Sequence, residues 1–509
     1  MESNKKKPEK GFGPSISRRK FVSGAAMAAA GFSIVPRHVL GGVGYKAPSD
    51  KLNIVGVGVG GMGFANLKNL ESENIVGLCD VDWKYAKRVS DYFPKAKTYW
   101  DWRKMYDEMG DDFDAVVIAT ADHAHAIIAA HAITMGKHVY VQKPLTHSVY
   151  ESRLLTKLAD QYKVATQMGN QGASGAGVAE TCELLWSGAI GEVTRVESFT
   201  DRPIWPQGLN TPNQGHWVPS TLDWDLFTGP AQMVPYNQVY HPWNWRGWWN
   251  YGTGALGDMA CHILHPVFEG LKLGYPTKAQ GSSTLLLRDS APTAQQVKLT
   301  FPARDKVGKI KMPEVEVVWF DGGIKPNLPD NWPAGKDPNK SGGGTFFYGT
   351  KGVLHAGCYG VQPELLSGEK PEVKKTERRV EEEIGLAWNK GAHEMDWVRA
   401  CKESPENRTP TTSDFAEAGP FNEMVVMGVL AVRLQGLNKE LEWDGQNMKF
   451  TNISNNESVK TVIEDGFEIH DGHPSFKKTW TDPIPAQDYA NELINHTYRD
   501  GWNLPNMPA

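Results

Sequence analysis

A glycine-rich turn between an apolar run and a helical segment constrains this chain more than any other feature of its sequence. Leu52–Val57 has the composition of a buried strand, leads directly into the glycines, and is followed by a predicted helix over residues 64–70. In this context Gly58 permits a tight turn, Gly60 lets the backbone approach a pyrophosphate, and Gly63 lets the helix pack close to the strand. The helix N-terminus adds N–H groups that favour an anion. The sequence therefore predicts a dinucleotide-binding βαβ unit whose cofactor contacts come from Gly58, Gly60, Gly61, Met62 and Gly63.

An acidic residue follows the second predicted strand. The apolar run at residues 75–79 ends at Asp80, 22 residues after Gly58. A carboxylate at this place accepts hydrogen bonds from both ribose hydroxyls and repels a 2′-phosphate, so Asp80 favours NAD over NADP. Lys84 and Arg88 lie close in sequence and leave NADP open as the less favoured cofactor.

Strands and helices continue to alternate up to residue 145. Residues 114–120 form an apolar run, a helical segment extends to Met135, and a further strand over 136–145 ends in a Lys-Pro turn. This alternation predicts an α/β fold with a doubly wound parallel sheet, which binds ligands at the carboxyl ends of its strands. The cofactor residues assigned to this region, besides Asp80, are Thr120, His125, Gln142 and Lys143.

Six short motifs occur in an order and spacing that is specific in combination. They are GVGGMG, the strand that ends at Asp80, ATADHAHA, GKHVYVQKPL, GAIGEV and GTGALGDMACH, and the match extends with gaps to YRDGW at residues 498–502. In these motifs the chain resembles the glucose–fructose oxidoreductase, inositol dehydrogenase and MocA (Gfo/Idh/MocA) family of sugar oxidoreductases. The resemblance implies an N-terminal Rossmann domain followed by an α+β domain with a large, mostly antiparallel open sheet.

The expected organisation has four parts. An export signal occupies residues 1–40, an NAD-binding Rossmann domain 50–170, an α+β substrate and oligomerisation domain 171–440, and a C-terminal tail that packs on the body 441–509. Within the second domain, alternating segments between residues 277 and 359 predict antiparallel strands. The Pro/Gly/Asn-rich residues 322–344 predict a long loop that serves as a lid or an oligomer contact. Two helices are predicted after it, His393–Lys402 and Phe421–Leu434, the second with Pro420 at its start.

The resemblance implies three catalytic residues. The family's Lys before Pro, which lies beside the nicotinamide and the reacting carbinol, corresponds to Lys143, and its Asp and His, four residues apart, correspond to Asp258 and His262. Residues at i and i+4 on a helix share one face, so both side chains can reach one substrate. Hydride loss from a carbinol needs a base at the hydroxyl, for which a neutral imidazole with a pKa near 7 is suited, and Lys143 can stabilise the developing alkoxide. Two alternatives stay open: a structural role for His262, and a helix-capping role for Asp258.

No metal site is predicted, because the family uses no metal for its hydride chemistry. The alternative is zinc ligation by Asp258, His262 and His265. The chain also departs from the family pattern at two positions: Gln142 stands where the family has Glu, and Ala121 stands where it often has Pro. Gln142 can still hydrogen-bond hydroxyls, so cofactor binding is retained in this prediction.

Tryptophan is concentrated in one segment before Asp258. Seven of the 18 Trp lie in residues 199–251, which we call the tryptophan-rich segment, and His, Asn and Arg side chains are interleaved with them. Aromatic faces stack on the C–H faces of sugars while these polar groups bind hydroxyls, so a carbohydrate substrate is expected. The alternative is a hydrophobic layer or subunit interface. The predicted substrate-binding residues are Trp243, Trp245, Arg246, His241 and Asn170.

The N-terminal residues have the pattern of a targeting signal. Paired arginines in SRRKFV precede a weakly apolar run of 15 residues, which is too short to span a bilayer and resembles a twin-arginine export signal. We therefore expect a periplasmic protein without a membrane anchor. The net charge of −5 argues against nucleic acid as a partner. Related enzymes form dimers or tetramers through the open sheet, so a homodimer or homotetramer is expected.

Three functions are compatible with these features. The first is an NAD-dependent oxidoreductase with tightly bound cofactor that oxidises a secondary hydroxyl of a sugar or glycoside, with C3 as a candidate position. The second is a redox-neutral NAD-dependent glycosidase that works through a 3-keto intermediate. The third is a non-catalytic sugar or dinucleotide sensor, against which the joint presence of Lys143, Asp258 and His262 argues.

Overall fold

The apolar runs of the N-terminal half pair into a six-stranded parallel sheet. The computed structural model describes residues 50–339, 341–376 and 391–508, so the predicted export signal lies outside the described residues. The strand order is β3–β2–β1–β4–β5–β6, with the glycine-turn strand β1 between β2 and β4. The strands are β1 (Asn53–Val57), β2 (Asn74–Cys79), β3 (Lys97–Tyr99), β4 (Ala115–Ile118), β5 (His138–Val141) and β6 (Thr166–Met168).

Helices connect these strands, and local side-chain contacts begin several of them. Asp82 accepts hydrogen bonds from two backbone N–H groups at the start of one helix, and Ser148 and Glu151 form a capping box at another. The helices are α1 (Met62–Asn69), α2 (Trp83–Tyr92), α3 (Trp102–Met109), α4 (His125–Thr134) and α5 (Val149–Tyr162). Together with the strands they confirm the predicted doubly wound α/β arrangement.

The second sheet has nine strands in the order β15–β14–β13–β7–β12–β9–β8–β16–β17. Only β7 and β12 pair in parallel, so the sheet is mostly antiparallel, as predicted. Its strands are β7 (Val193–Phe199), β8 (Lys278–Ser283), β9 (Gln295–Phe301), β12 (Val315–Phe320), β13 (Gly344–Gly349), β14 (Val353–Gly357), β15 (Glu364–Leu365), β16 (Leu441–Asp444) and β17 (Lys449–Phe450). Three two-stranded sheets comprise β10 (Arg304–Val307) with β11 (Ile310–Met312), β18 (Ser458–Val459) with β21 (Ile484–Pro485), and β19 (Val462–His470) with β20 (His473–Trp480).

Seven further helices complete the described fold. They are α6 (Ala176–Ser187), α7 (Trp224–Thr228), α8 (Gly254–Ile263), α9 (His265–Gly270), α10 (Ala392–Lys402), α11 (Phe415–Arg433) and α12 (Ala486–Asn495). Helix α11 is apolar and long enough to cross a membrane, but it is mostly buried between α5 and strands β8 and β9, as a core helix is.

The start of α11 differs from the prediction. The helix begins at Phe415, six residues before the predicted start at Phe421, because the side chain of Asp414 accepts a hydrogen bond from the Glu417 N–H and caps it there. Pro420 therefore lies inside the helix, in its second turn. Burial of this whole segment against α5 outweighs the local preference of proline for a helix start.

Two C-terminal segments return to the first sheet. Helix α10 packs against α1, β5 and β6, and Glu394 accepts a hydrogen bond from Asn66 at 2.7 Å. Farther along, the Tyr498 hydroxyl donates to Glu151 at 2.6 Å, and Trp502 stacks under the guanidinium of Arg103. The first sheet is thus completed by residues distant from it in sequence.

Candidate active site

A cavity of about 490 Å³ opens at the carboxyl ends of strands β1, β2, β4 and β5. Both the predicted cofactor residues and most of the predicted substrate residues line it, although they come from separate parts of the chain. Among the predicted residues, those at its wall are Gly58, Gly60, Gly61, Met62, Asp80, Thr120, Gln142, Lys143, His241, Trp243, Trp245, Arg246, Asp258 and His262.

The glycine turn is tightly packed and leaves its backbone facing the cavity. Gly58 has φ of +76°, and a Cβ at Gly63 would lie 2.4 Å from the Gly58 carbonyl oxygen. A Cβ at Gly60 would lie 2.4 Å from the ring of Tyr85. Only glycine satisfies these contacts, and the N-terminus of α1 follows directly. This backbone fits the pyrophosphate of a dinucleotide.

Asp80 lies where the ribose of such a dinucleotide is expected. Its carboxylate is buried at the end of β2, and it accepts hydrogen bonds from the Gly60 N–H at 2.9 Å and the Asp82 N–H at 3.0 Å. Burial raises the pKa of Asp80, and these two N–H donors oppose the rise. Arg88 lies at the same end and donates to the Gly60 carbonyl at 3.0 Å.

Lys143, Asp258 and Arg246 form one charged cluster. The Lys143 Nζ lies 2.6 Å from Asp258 Oδ1 and 2.9 Å from the Asp258 carbonyl oxygen, and the Arg246 Nε lies 3.1 Å from Asp258 Oδ1. Burial alone would raise the pKa of Asp258, but the charges of Lys143 and Arg246 outweigh it and lower the pKa below its usual range. Asp258 is therefore a carboxylate that orients both cations.

His262 lies one turn after Asp258 on α8 and lines the same cavity. Burial first, and the charge of Lys143 second, lower its pKa well below the usual value. The imidazole is thus neutral, as predicted for a base, but its pKa is not near 7. Its ring packs against that of Tyr359, with centroids 4.6 Å apart.

The tryptophan-rich segment divides between the cavity and the core. Trp243 and Trp245 line the cavity with the Arg246 guanidinium stacked on both rings, at 4.0 and 4.2 Å from the centroids. Trp205 also lines it. The remaining members do not: Trp224, Trp248 and Trp249 are buried in hydrophobic clusters, and Trp217 is 97% exposed.

Four predicted residues have surroundings that the sequence did not indicate. His241 lies at the cofactor end, with its Nε2 3.0 Å from Asp82 Oδ2, rather than beside Asp258. His125 is buried between the carbonyls of Pro144 and Thr120, and it does not line the cavity. Asn170 is buried, and its side-chain amide donates to the carbonyl of Cys261 on α8 at 3.4 Å. Gly63 packs against the Gly58 carbonyl and does not line the cavity.

Sequence reasoning missed three residues of the site. Arg202 and Tyr359 line the cavity, Tyr359 with its ring against His262, and Asp122 accepts hydrogen bonds from the N–H and hydroxyl of Thr253 at the start of α8. Tyr359 has φ of +64°, which is unfavourable for a non-glycine residue. No local motif distinguishes Arg202 or Tyr359, whereas Asp122 lies within the ATADHAHA motif and could have been included.

The zinc alternative is not supported by the arrangement of the side chains. Among the residues that the structure describes, the group that could hold a metal is His265, Glu269 and Glu417, whose ligand atoms lie within 4.8 Å of one another. Asp258 and His262 do not belong to it. Asp258 instead pairs with Lys143 and Arg246.

Comparisons with known proteins agree with this geometry. A glycosyl hydrolase family 109 protein of a Shewanella species is 27% identical over 208 residues, which cover 36% of this chain and 45% of that protein. Levoglucosan dehydrogenase of Pseudarthrobacter phenanthrenivorans is 28% identical over 166 residues, covering 32% and 34%. The chain thus matches less than half the length of these curated relatives.

Solved structures share the fold. GenD2 from gentamicin A biosynthesis, crystallised in complex with NAD, superposes with a TM-score of 0.52 at 16% identity, over 81% of this chain and 100% of GenD2. Residues 51–170 match the model described as oxidoreductase family, NAD-binding Rossmann fold, and residues 181–281 match the C-terminal alpha/beta domain of the same family. Over these two ranges the chain thus resembles both domains of the Gfo/Idh/MocA oxidoreductases.

Proposed function

We propose that this protein is an NAD-dependent oxidoreductase that acts on a secondary hydroxyl of a sugar or glycoside. The observation that carries the proposal is the Lys143–Asp258–Arg246 cluster, which shares one cavity with the glycine turn and His262. A dinucleotide on the turn and a sugar against Trp243 would both reach this cluster. The names of the curated relatives also favour a carbohydrate substrate.

Each residue of the cluster has a distinct role in this proposal. The chemistry supplied by bound NAD is hydride acceptance at the nicotinamide. His262, held neutral by burial, takes the proton from the substrate hydroxyl, and the Lys143 ammonium stabilises the developing alkoxide. Asp258 orients Lys143 and Arg246, while Trp243 and Trp245 provide aromatic faces for the sugar ring.

NAD is proposed rather than NADP. The Asp80 carboxylate is at the ribose end, where it would accept from both hydroxyls and repel a 2′-phosphate. Arg88 at the same end would favour a phosphate, but it already donates to the Gly60 carbonyl.

The test is a cofactor and turnover assay on the purified protein. Bound cofactor is measured by absorbance at 340 nm after reduction, and a panel of free sugars and methyl glycosides is then screened for a keto-sugar product by mass spectrometry. We expect co-purifying or tightly binding NAD and a keto product from at least one sugar. Two results contradict the proposal: the protein binds no dinucleotide, or it binds NAD and a sugar but oxidises no member of the panel.

A second candidate is the redox-neutral glycosidase reaction. The match to proteins named glycosyl hydrolase family 109 favours it. In this reaction hydride removal at C3 gives a ketone that acidifies the C2 proton, and loss of that proton expels the aglycone from C1. Water then adds across the C1–C2 double bond, with its oxygen on C1 and a proton on C2, and return of the same hydride to C3 restores the hydroxyl. Release of nitrophenol from nitrophenyl glycosides without net NADH would identify it, whereas accumulation of keto glycoside identifies the dehydrogenase.

Export and self-association are part of the proposal. The SRRKFV motif and the apolar run after it support export by the twin-arginine route to the periplasm, and the family assignment supports a homodimer or homotetramer. Changing Arg18 and Arg19 to Lys should leave a reporter fusion in the cytoplasm. Light scattering of the purified protein should give two or four times the chain mass.

A further inference from the structure

Arg202 is held in the cavity wall by backbone contacts on both sides. It follows β7, its N–H donates to the hydroxyl of Thr200, and its carbonyl accepts from the Gly322 N–H at 2.7 Å. Thr200 in turn donates to the Gly342 carbonyl. The two ends of the long segment between β12 and β13 thus fix the position of Arg202, and its side chain faces the cavity.

The guanidinium of Arg202 belongs to the catalytic end of the cavity. Thr200, two residues before Arg202, donates to the Gly342 carbonyl, and the N–H of Cys358, which precedes Tyr359, donates to the adjacent Gly343 carbonyl at 2.9 Å. Burial raises the pKa of Tyr359, and the charge of Arg202 opposes this rise. Tyr359 in turn packs on His262. Arg202 therefore lines the cavity together with Tyr359 and His262, where the sugar is proposed to bind.

The charges at this end are unbalanced. Lys143 and Arg246 share the carboxylate of Asp258, and His262 is neutral. The buried carboxyl of Asp122, whose pKa burial raises to about 7, accepts hydrogen bonds from Thr253. Within residues 50–339, 341–376 and 391–508, no side chain or carbonyl accepts a hydrogen bond from the Arg202 guanidinium or pairs with it. A partly buried cation that lacks a protein partner is costly unless the ligand supplies the opposite charge.

We propose that the substrate is a sugar bearing a carboxylate, and that Arg202 binds this carboxylate. A planar guanidinium matches a carboxylate with two parallel hydrogen bonds, which a neutral hydroxymethyl group cannot form. The inference rests on the proposed sugar oxidoreductase function and narrows its substrate class to acidic sugars such as uronates.

The experiment measures binding rather than turnover. Titration calorimetry on the full-length, NAD-loaded protein compares three matched pairs: D-glucose with D-glucuronate, D-galactose with D-galacturonate, and D-mannose with D-mannuronate. At least one acid should bind about 10-fold or more tightly than its neutral partner, since charge-assisted hydrogen bonds contribute about 1.5–3 kcal/mol. In Arg202→Gln the preference should fall to within about 3-fold, while Arg202→Lys should keep part of it.

The controls separate this inference from the proposed function. Arg195→Gln removes a positive charge from β7 outside the cavity, where Arg195 pairs with Glu197, and it should keep the acid preference. The affinity of Arg202→Gln for NAD should equal that of the wild type. Three results overturn the inference. They are the absence of an acid preference in every pair, an acid preference that persists in Arg202→Gln, and a loss of NAD affinity in that variant. Failure of the wild type to bind NAD instead contradicts the proposed function.

Discussion

The carboxylate of Asp258 holds two cations at once, and this determines the charge state of the site. Its Oδ1 lies 2.6 Å from Lys143 Nζ and 3.1 Å from Arg246 Nε, so the pKa of Asp258 is held below its usual range. Because Lys143 is oriented by this pair, its ammonium group is available in a fixed direction without reorganisation during a reaction. Burial, and to a smaller extent the charge of Lys143, lowers the pKa of the neighbouring His262 and keeps it neutral.

Replacing Lys143 with Ala should abolish turnover without unfolding the protein. The change removes the cation that stabilises the alkoxide, for which we expect a loss in kcat of about 10³-fold. Circular dichroism and the thermal midpoint check the fold, and a stopped assay for keto sugar checks the rate. Lys87→Ala, at an exposed i,i+4 pair with Asp91, is the matched control. Full activity in Lys143→Ala would refute the assigned role.

Replacing Asp80 with Asn should change the cofactor preference. The amide oxygen can still accept from the Gly60 N–H, but the negative charge that repels a 2′-phosphate is gone, and Arg88 is close enough to bind one. The ratio of kcat/KM for NADP to that for NAD should rise about 10-fold, corresponding to about 1.4 kcal/mol. Asp91→Asn, on the exposed face of α2, should leave the ratio unchanged. An unaltered ratio in Asp80→Asn would show that Asp80 does not contact the ribose.

At the scale of elements, the position of α8 depends on a contact with the first sheet. The helix carries both Asp258 and His262, and its first residues are fixed where Asp122, just after β4, accepts from the N–H and hydroxyl of Thr253. Burial raises the pKa of Asp122 to about 7, although the hydrogen bond from Thr253 acts against the rise. The Asp122–Thr253 contact therefore joins the two halves of the site, in addition to the Lys143–Asp258 pair.

Replacing Thr253 with Val should weaken this connection. The variant keeps the shape of the side chain but removes the hydroxyl that donates to Asp122 at 2.7 Å. The free energy of unfolding should therefore fall by about 1–2 kcal/mol. Urea denaturation measures the difference. Thr451→Val, at an exposed hydroxyl, should change stability by no more than about 0.5 kcal/mol. Equal losses in the two variants would mean that the Asp122 contact contributes nothing specific.

At the scale of the whole molecule, several buried histidines link folding to pH. Burial lowers the pKa of His123, His125, His138 and His393 to about 4. Such groups take up protons on unfolding once the pH falls below their unfolded pKa near 6.5, so each contributes stability that is lost as the pH falls. Buried acids with raised pKa, such as Asp122, oppose this trend, so the effect must be measured one residue at a time.

His138 offers the clearest measurement. Its Nδ1 accepts a hydrogen bond from the Ala165 N–H at 2.9 Å, and an Asn oxygen can replace this acceptor without titrating. As the pH falls from 6.5 to 4, the free energy of unfolding of the wild type should decrease by up to about 3 kcal/mol more than that of His138→Asn. The reason is that the imidazole of the wild type stays neutral in the folded state but takes up a proton on unfolding. If the free energies of unfolding of the wild type and His138→Asn changed equally with pH, this prediction would be contradicted. His470→Asn, on the exposed hairpin β19–β20, is the control.

Local sequence patterns were sufficient for the first sheet and for the residues at its carboxyl edge. The glycine turn, Asp80 and Lys143 lie within a few residues of strand ends, and strands in a parallel sheet bring those ends together whatever follows in the chain. The spacing of Asp258 and His262 was likewise readable, because four residues form one turn of a single helix. The start of α11 could not be predicted from the local sequence, since packing against α5 outweighed the helix-start preference of Pro420.

The sequence by itself indicated the glycine turn, the acidic residue after the second strand and, through the family resemblance, the Lys, Asp and His of the candidate site, because each lies within a short motif. Only the tertiary structure decided which tryptophans face the cavity, that His241 lies beside Asp82, and that Arg202 and Tyr359 join His262. The His241–Asp82 and Tyr359–His262 contacts connect residues more than 90 positions apart, so local sequence patterns do not indicate them. The lowered pKa of His262 and the position of Arg202 in the cavity wall, where no residue that the structure describes pairs with its guanidinium, follow from tertiary packing.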